Sequence, residues 1–395
     1  MQFKNFFLAA AIAALTSAQD VPTLAAALNS TESLSSLNTL LGQYPDLLAT
    51  LAGLTNTSIF APSNEALETL MAQDGFAELA ATDGYIEALL TYHVVPAQLA
   101  SANITATPAF VPTLLNDTTY SNVTGGQVIG LVLSGEGDNA TAQVISGLAQ
   151  RSNITTADVE VSTGYVHIID SVLTLPVNIT STLTAANLTG LAGAVIFADL
   201  GDTLDSSEDV TVFAPTTEAF EAIASALENA TAETVASILQ YHVAPQIGYS
   251  SLLQNGSQLE TLAGSNVNVT ILDGEVFVNS AKVIATDILV SGGVVHLIEA
   301  VLNPNSTNVP NAEEDQSPSN FEGATAGDVD EITNLVSTTA TSVISPPPAT
   351  PAPEGGAGGA GAGAGTSTSE DSASMPTGAM GAAALFGGMA ILAQL

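Results

Sequence analysis

The chain of 395 residues contains no cysteine and no tryptophan. Without cysteine the fold cannot rest on disulfides, and thiol catalysis and thiolate metal sites are excluded. Basic residues are nearly absent: Lys4, Arg151 and Lys282 stand against 39 acidic residues, a formal net charge of −36. That balance excludes nucleic acid as a partner, because binding it needs cationic side chains that release counterions from phosphate. Anionic lipid surfaces fail for the same reason. Aromatic residues make up 5% of the chain and hydrophobic ones 46%, so the core must be Val, Ile, Leu and Ala. No Gly-x-Ser-x-Gly turn, no His-Glu-x-x-His pair and no glycine run before Lys282 occurs, which removes the usual signatures of serine hydrolases, zinc proteases and phosphate loops.

What the chain does have is repetition. Its four histidines fall at paired positions of one pattern. His93 follows Leu89-Leu90-Thr91-Tyr92, and His242 follows Ile238-Leu239-Gln240-Tyr241. His167 lies in Gly164-Tyr165-Val166-His167-Ile168-Ile169-Asp170, and His296 in Gly293-Val294-Val295-His296-Leu297-Ile298-Glu299. Upstream, Phe60-Ala61-Pro62-Ser63-Asn64-Glu65-Ala66 matches Phe213-Ala214-Pro215-Thr216-Thr217-Glu218-Ala219. Three blocks in the same order mark an internal duplication. Each copy is long enough to fold around its own core.

The blocks predict elements. Val210 to Phe213 is a short β-rich run, and Thr216 and Ser63 are natural N-caps with Glu218 and Glu65 in the first turn, so this block is a strand feeding a helix. Ile86, Leu89, Leu90 and His93, like Val235, Ile238, Leu239 and His242, follow helical spacing, which puts each histidine on an apolar stripe facing the core. Pro96 and Pro245 are expected to stop these helices. The last block is apolar on both faces and reads as an interior strand. Further strands are expected at Gln127 to Leu133, Asn266 to Leu272 and Glu275 to Val278. Each copy is therefore of the α+β class. His93 and His167 lie 74 residues apart and His242 and His296 lie 54 apart; the 20 extra residues, which carry sequons, read as a glycosylated loop insertion.

The ends point to the secretory route. Residues 1–18 read as a signal peptide: Lys4, an apolar run from Phe6 to Leu15, then Thr16-Ser17-Ala18. Two domains follow, at 20–175 and 177–304. Residues 305–370, rich in Pro, Gly, Ser and Thr, are expected to form a disordered stalk. Residues 371–395 match a glycolipid-anchor signal, with Ser372 as an attachment residue and a short apolar tail. Sequons occur at Asn29, Asn56, Asn103, Asn116, Asn122, Asn139, Asn153, Asn178, Asn187, Asn229, Asn255, Asn268 and Asn305. All but Asn268, which sits in an alternating strand pattern, are taken as N-glycosylation candidates.

The motifs Phe-Ala-Pro-[Ser/Thr]-x-Glu-Ala, Tyr-His-Val and Asp-[Val/Ile]-x-x-x-x-Gly-x-Val-His-x-Ile together resemble the fasciclin-domain family, over both copies. The resemblance implies two tandem fasciclin-like domains, each a wedge of β-strands with packed α-helices, an extracellular location and adhesive roles. It also implies partner-binding features at the Tyr-His segment, here Tyr92-His93 and Tyr241-His242, and at an Asp-Ile dipeptide, here Asp287-Ile288 and, with valine in place of isoleucine, Asp158-Val159. His167 and His296 complete the family motif. A cysteine-free, Ser/Thr-rich, lipid-anchored glycoprotein looks more like a filamentous fungal protein than an animal one.

No catalytic, cofactor or metal site is expected. The histidine pairs lack metal-ligand spacing and read as buried neutral imidazoles bracing helix against sheet. The cluster Asp199, Asp202, Asp205, Glu208 and Asp209 departs from a calcium loop and reads as a solvated acidic segment. The expected function is that of a non-enzymatic surface or extracellular adhesion glycoprotein. Its partner would be a cell-wall or matrix polysaccharide or glycoprotein, or a copy of itself on an opposing cell. Membrane contact would be through the lipid anchor, with the vacuole as another end-point of the route. The alternative is an extracellular small-molecule or lipid-binding module, which needs an apolar pocket of several hundred cubic ångströms; an extracellular enzyme is the third reading.

Overall fold

A computed structural model describes residues 21–135, 137–306 and 320–336. The signal peptide, Ser372, the anchor signal and most of the expected stalk lie outside them. The first domain opens with α1 (Leu24–Ser30), α2 (Ser35–Leu41) and α3 (Pro45–Gly53). Strand β1 (Thr57–Pro62) then feeds α4 (Asn64–Met71), α5 (Phe76–Ala80) and α6 (Tyr85–Tyr92). Strands follow: β2 (Val94–Val95), β3 (Ala109–Pro112), β4 (Val128–Ser134), β5 (Thr141–Ile145), β6 (Arg151–Val161) and β7 (Gly164–Ile169).

The second domain repeats this plan. It has α7 (Ile179–Ala185), α8 (Thr189–Phe197), α9 (Gly201–Asp205), β8 (Val210–Pro215), α10 (Thr217–Glu221), α11 (Ala224–Leu227) and α12 (Ala232–Tyr241). Strands β9 (Val243–Ala244), β10 (Gln258–Glu260), β11 (Asn266–Leu272), β12 (Glu275–Val278), β13 (Ala281–Val290) and β14 (Gly293–Ile298) complete it. Each domain has one seven-stranded sheet, in the order β2-β1-β7-β6-β5-β4-β3 and β10-β11-β12-β13-β14-β8-β9. The first strand of each domain runs parallel to the last, β1 to β7 and β8 to β14. The turn before the last strand requires glycine: Gly164 and Gly293 have φ of 143° and 149°, and a Cβ there would lie 1.9 Å from the Thr57 oxygen and 2.0 Å from the Val210 oxygen.

Helix starts follow the capping argument. Ser63 Oγ accepts from the Ala66 N–H and Thr216 Oγ1 from the Ala219 N–H, each at 3.2 Å. The helix ends do not follow the proline argument. α6 and α12 stop at Tyr92 and Tyr241, and the short strands β2 and β9 intervene before Pro96 and Pro245. What closes each helix is the histidine ring described below.

Two further expectations need correction. The 20 extra residues of the first domain are not one free loop but are spread over the β3–β4, β4–β5 and β5–β6 connections. Much of this extra chain packs on the second domain. Asn122 N–H donates to the Ser291 oxygen at 2.6 Å, Thr124 N–H to Asp209 Oδ1 at 2.8 Å, and Gln127 Nε2 to the Val290 oxygen at 3.1 Å. Phe110 stacks on Tyr249 at 4.3 Å between ring centroids, over a small apolar cluster with Val128, Leu289 and Val294. The second correction concerns the stalk, expected from residue 305. Residues 320–336 lie on the second domain, with α13 (Asp330–Thr333) against α8. Val329 is buried in the helical core with Phe321 and Ala324 beside it. Asn320, 5% exposed, donates to the Val301 oxygen and accepts from Ser280 Oγ at 2.7 Å. A Pro/Gly/Ser/Thr-rich composition concealed these few apolar anchors.

Candidate functional site

The family-motif residues gather into two clusters per domain. In the first, His93 caps the end of α6. Its Nδ1–H donates to the Leu89 oxygen at 2.7 Å, and its Nε2 accepts the Leu173 N–H at 2.9 Å. His242 does the same with the Ile238 oxygen and the Leu302 N–H, both at 2.8 Å. A carbonyl can only accept and an amide N–H only donate, so the partners dictate the neutral Nδ1–H tautomer. Burial drives the pKa of both rings down, from 6.5 to about 4, against the smaller upward pull of the carbonyl. Each ring ties the end of a helix to the segment leaving the last strand.

The adjacent tyrosines are not a surface either. Tyr92 and Tyr241 are 0% exposed. Tyr92 donates its hydroxyl to the Val128 oxygen at 2.9 Å, and Tyr241 to the Asn266 oxygen at 3.0 Å. A partner cannot touch these Tyr-His pairs without unfolding the domain around them.

In the second kind of cluster, a β-bulge sets an aspartate beside a histidine. Between the pairs Thr156↔Ile168 and Val159↔Val166, two residues of β6 oppose the single His167. The same happens opposite His296, between Ala285↔Leu297 and Ile288↔Val295. The second bulged residue is Asp158 (φ 57°) or Asp287 (φ 62°), a left-handed position that aspartate tolerates better than most side chains. Its N–H donates to the histidine Nδ1 at 3.2 Å in both domains. The histidine Nε2–H donates to the Leu99 oxygen at 2.9 Å or the Gly248 oxygen at 2.8 Å. The carboxylate itself turns to a serine: Asp158 accepts from the Ser101 N–H at 2.8 Å and from its hydroxyl, and Asp287 accepts likewise from Ser250, with the N–H at 2.7 Å.

Burial lowers the pKa of His167 and His296 as well, against a carbonyl and the neighbouring aspartate. For Asp158 partial burial acts upward, but the two bonds from Ser101 and the nearby His167 outweigh it and leave the carboxyl below its ordinary range. The serine, aspartate and histidine of each cluster look like a triad on paper. The bonding runs the wrong way for one, because each ring nitrogen already holds a backbone partner and the serine hydroxyl donates to the carboxylate. These groups pin a bulge and the β2–β3 or β9–β10 connection to the sheet.

In the acidic segment beside the first helices of the second domain, Asp199, Asp202 and Glu208 are exposed, as a solvated segment requires, but Asp205 and Asp209 are half-buried and bonded. Asp205 accepts from the Thr180 N–H at 2.9 Å and hydroxyl at 2.6 Å, and Asp209 holds Thr124 of the other domain. Of the sequon asparagines, Asn29, Asn56, Asn103, Asn116, Asn139, Asn187, Asn229, Asn255 and Asn305 are exposed. Asn153 donates to Asp170 at 2.7 Å, Asn178 caps α7, and Asn122 lies in the contact between domains, all half-buried. Asn268 is half-buried too and accepts from Gln258. The residues that sequence reasoning missed are those between the domains, Phe110, Gln127 and Tyr249 among them; no repeat signals them, because the two copies use different parts of their surface there.

Two domains built on one plan, each closed by a parallel pairing of its first and last strands and braced by two buried histidines, form a tandem duplicate of a single module. The fasciclin domain family model matches residues 32–176 and again 186–304, so the chain belongs to the fasciclin domain family and carries two copies of its domain. A fasciclin-like arabinogalactan protein of Arthroderma benhamiae is 36% identical over 329 residues, 82% of this chain and 76% of that protein. The fasciclin-like arabinogalactan protein CTB11 of Cercospora beticola is 32% identical over 278 residues, 69% of this chain and 74% of that one. Among solved structures, the FAS1 domain pair of the insect cell adhesion molecule fasciclin I matches 70% of this chain and 99% of its own, at 22% identity and a TM-score of 0.34.

Proposed function

We propose that the protein is a secreted, non-enzymatic surface glycoprotein whose two fasciclin domains make adhesive or matrix contacts. The observation that carries this reading is the match to fungal fasciclin-like arabinogalactan proteins across both domains, proteins whose name denotes a carbohydrate-bearing exterior. Nine exposed sequon asparagines fit such an exterior, and the commitment of all four imidazoles to backbone leaves them without a lone pair or proton for chemistry. The partner class is a neutral or cationic polysaccharide or glycoprotein of wall or matrix, or a second copy on an opposing cell. A net charge of −36 disfavours polyanionic polysaccharides and, through mutual repulsion, also weighs against the contact between copies. Retention at the outer face of the membrane or in the wall would come from a glycolipid anchor at the C-terminus.

The test is binding of the purified glycosylated ectodomain to a panel of wall polysaccharides and matrix proteins, with each domain deleted in turn. Saturable binding to one class, lost with one domain, supports the reading. Binding to none of the panel, together with retention on cells after treatment with a glycolipid-cleaving phospholipase, would sink it.

A further inference from the structure

A groove of about 440 Å³ opens on the first domain between α2, α4, α5 and α6. Leu40, Leu67, Leu70, Ile86 and Leu89 line it, and Met71, 57% exposed, stands at its edge. No charged residue lines it, although Glu65, Glu68, Glu78 and Glu87 are exposed on the same helices α4, α5 and α6. Ser36, Thr39 and Gln43 supply polar tips on the α2 side.

The second domain shows how the same face looks when closed. A shared hydrogen bond aligns the two: Ser36 N–H donates to Asn64 Oδ1 at 2.9 Å, and Gly190 N–H to Thr217 Oγ1 at 3.2 Å. Ser36 and Leu67 of the first domain thus correspond to Gly190 and Phe220 of the second. The lack of a side chain at Gly190 lets α8 settle on the Phe220 ring, so that a Cβ there would lie 3.1 Å from it. In the first domain the smaller Leu67 replaces that ring, and Asn64, one atom longer than Thr217, spans the gap between α2 and α4. The segment 320–336 then covers the rest of the second domain's face. Gly327 N–H donates to the Glu221 oxygen at 3.0 Å, and Gly327 packs against Ala224, the counterpart of Met71. Neither device closes the first domain among the described residues. No sequon falls between Asn56 and Asn103, the stretch that holds α4, α5 and α6; Asn29, exposed on α1, is bonded to Asn38 of α2.

We propose that this groove binds a single uncharged lipid molecule, an aliphatic or sterol-like compound with at most a hydroxyl or ester as its polar group. Its volume lies in the range of small-ligand sites. Its apolar walls match a hydrocarbon, and the polar tips of α2 match a hydroxyl or ester. An anionic amphiphile would find no cation in the lining and would meet the field of the whole acidic chain. This activity stands apart from adhesion and does not depend on it.

The test uses the full secreted chain and N-phenyl-1-naphthylamine, an uncharged probe that fluoresces in apolar surroundings. One saturable site per chain is expected. Monoolein should displace the probe at least tenfold more effectively than oleate at pH 7. Ala80→Trp, which fills the groove, and Met71→Glu, which sets a carboxylate at its edge, should each weaken binding at least tenfold with an unchanged circular dichroism spectrum. Absence of saturable binding, or equal binding by both folded variants, overturns the proposal. So does displacement of the probe by a synthetic peptide of residues 320–336 together with groove-dependent dimerisation, which would assign the groove to a second copy of the chain.

Discussion

The two domains hold the same serine–aspartate–histidine cluster in different settings. Of the Asp158 side chain 35% is exposed, whereas Asp287 as a whole is 3% exposed. The bulge, the left-handed backbone and the bonds to serine and histidine are shared. What differs is the neighbour. Near Asp287 the first domain brings Arg151 close, and Gly147 pairs with Leu289 two residues on. A repeated motif therefore does not carry repeated accessibility. The first domain's copy is the one open to solvent, because Asp287 of the second is buried.

The comparison can be broken at several points. The largest effect is expected from the pins common to both domains. His93→Ala or His242→Ala leaves a buried N–H without a partner and removes a ring from the core, at a cost of about 3–5 kcal/mol. Denaturant unfolding of the purified chain should show a loss of similar size for either variant; a loss confined to one domain would break the equivalence. The same rings set a pH dependence. The folded pKa of about 4 lies below the ordinary 6.5, so the unfolded chain takes up the proton first. Their contribution is fully present above pH 6.5 and fades as pH falls toward 4, by roughly 3 kcal/mol per histidine. Thermal unfolding between pH 7 and pH 4 should show this decline, and His242→Gln should flatten it. An unflattened profile would assign the decline to other groups.

A middle-sized effect should separate the domains. Val329→Asp puts a charge where segment 320–336 enters the second domain's core, and a loss of about 2–3 kcal/mol is expected there. Cleavage by a protease near residues 320–336 should become faster, with the first domain unaffected. Unchanged cleavage would mean that the segment does not guard that face. Asp287→Ala should cost about 3 kcal/mol and Asp158→Ala about 1 kcal/mol, since water can satisfy Ser101 more readily than Ser250. Equal losses by calorimetry would show that the neighbouring domain does not shield Asp287.

The smallest effect is the most specific. The Tyr249 hydroxyl is buried and has no hydrogen-bond partner among the described residues. Burial, with Asp287 and Asp209 nearby, pushes its pKa up. Tyr249→Phe keeps the stack on Phe110 and removes an unsatisfied group, so stability should stay level or rise by up to about 1 kcal/mol. A clear fall in melting temperature would reveal a bond to this hydroxyl.

Much of each domain was legible in the chain because its signals are local. The strand-to-helix block reads from Ser63 and Thr216, whose hydroxyls take up the caps expected of them. β11 and β12 match the alternating runs residue for residue. Helical spacing turned His93 and His242 inward, and both are buried. Three features were not legible, each for a physical reason. The helix ends were misread because β2 and β9 are only two residues long and carry no period. The contact between domains was misread as a loop because it is made by scattered side chains such as Phe110, Gln127 and Tyr249 and by backbone groups such as the oxygens of Val290 and Ser291, and neither leaves a periodic pattern. Segment 320–336 was misread as stalk because Phe321 and Val329 are single anchors in a polar stretch, and single anchors show no periodicity.

The absence of cysteine and the pairing of four histidines thus established, from the chain alone, two equivalent domains held by burial and by imidazole pins. Periodicity and spacing suffice for that, because they act over a few residues within one copy. Only the tertiary structure decided that the copies are unequal: Asp287 covered and Asp158 open, one helical face closed by Gly190, Phe220 and a returning segment, the other left as a groove. Those differences arise where distant segments meet, and the free energy of burial depends on the neighbour as much as on the residue that is buried.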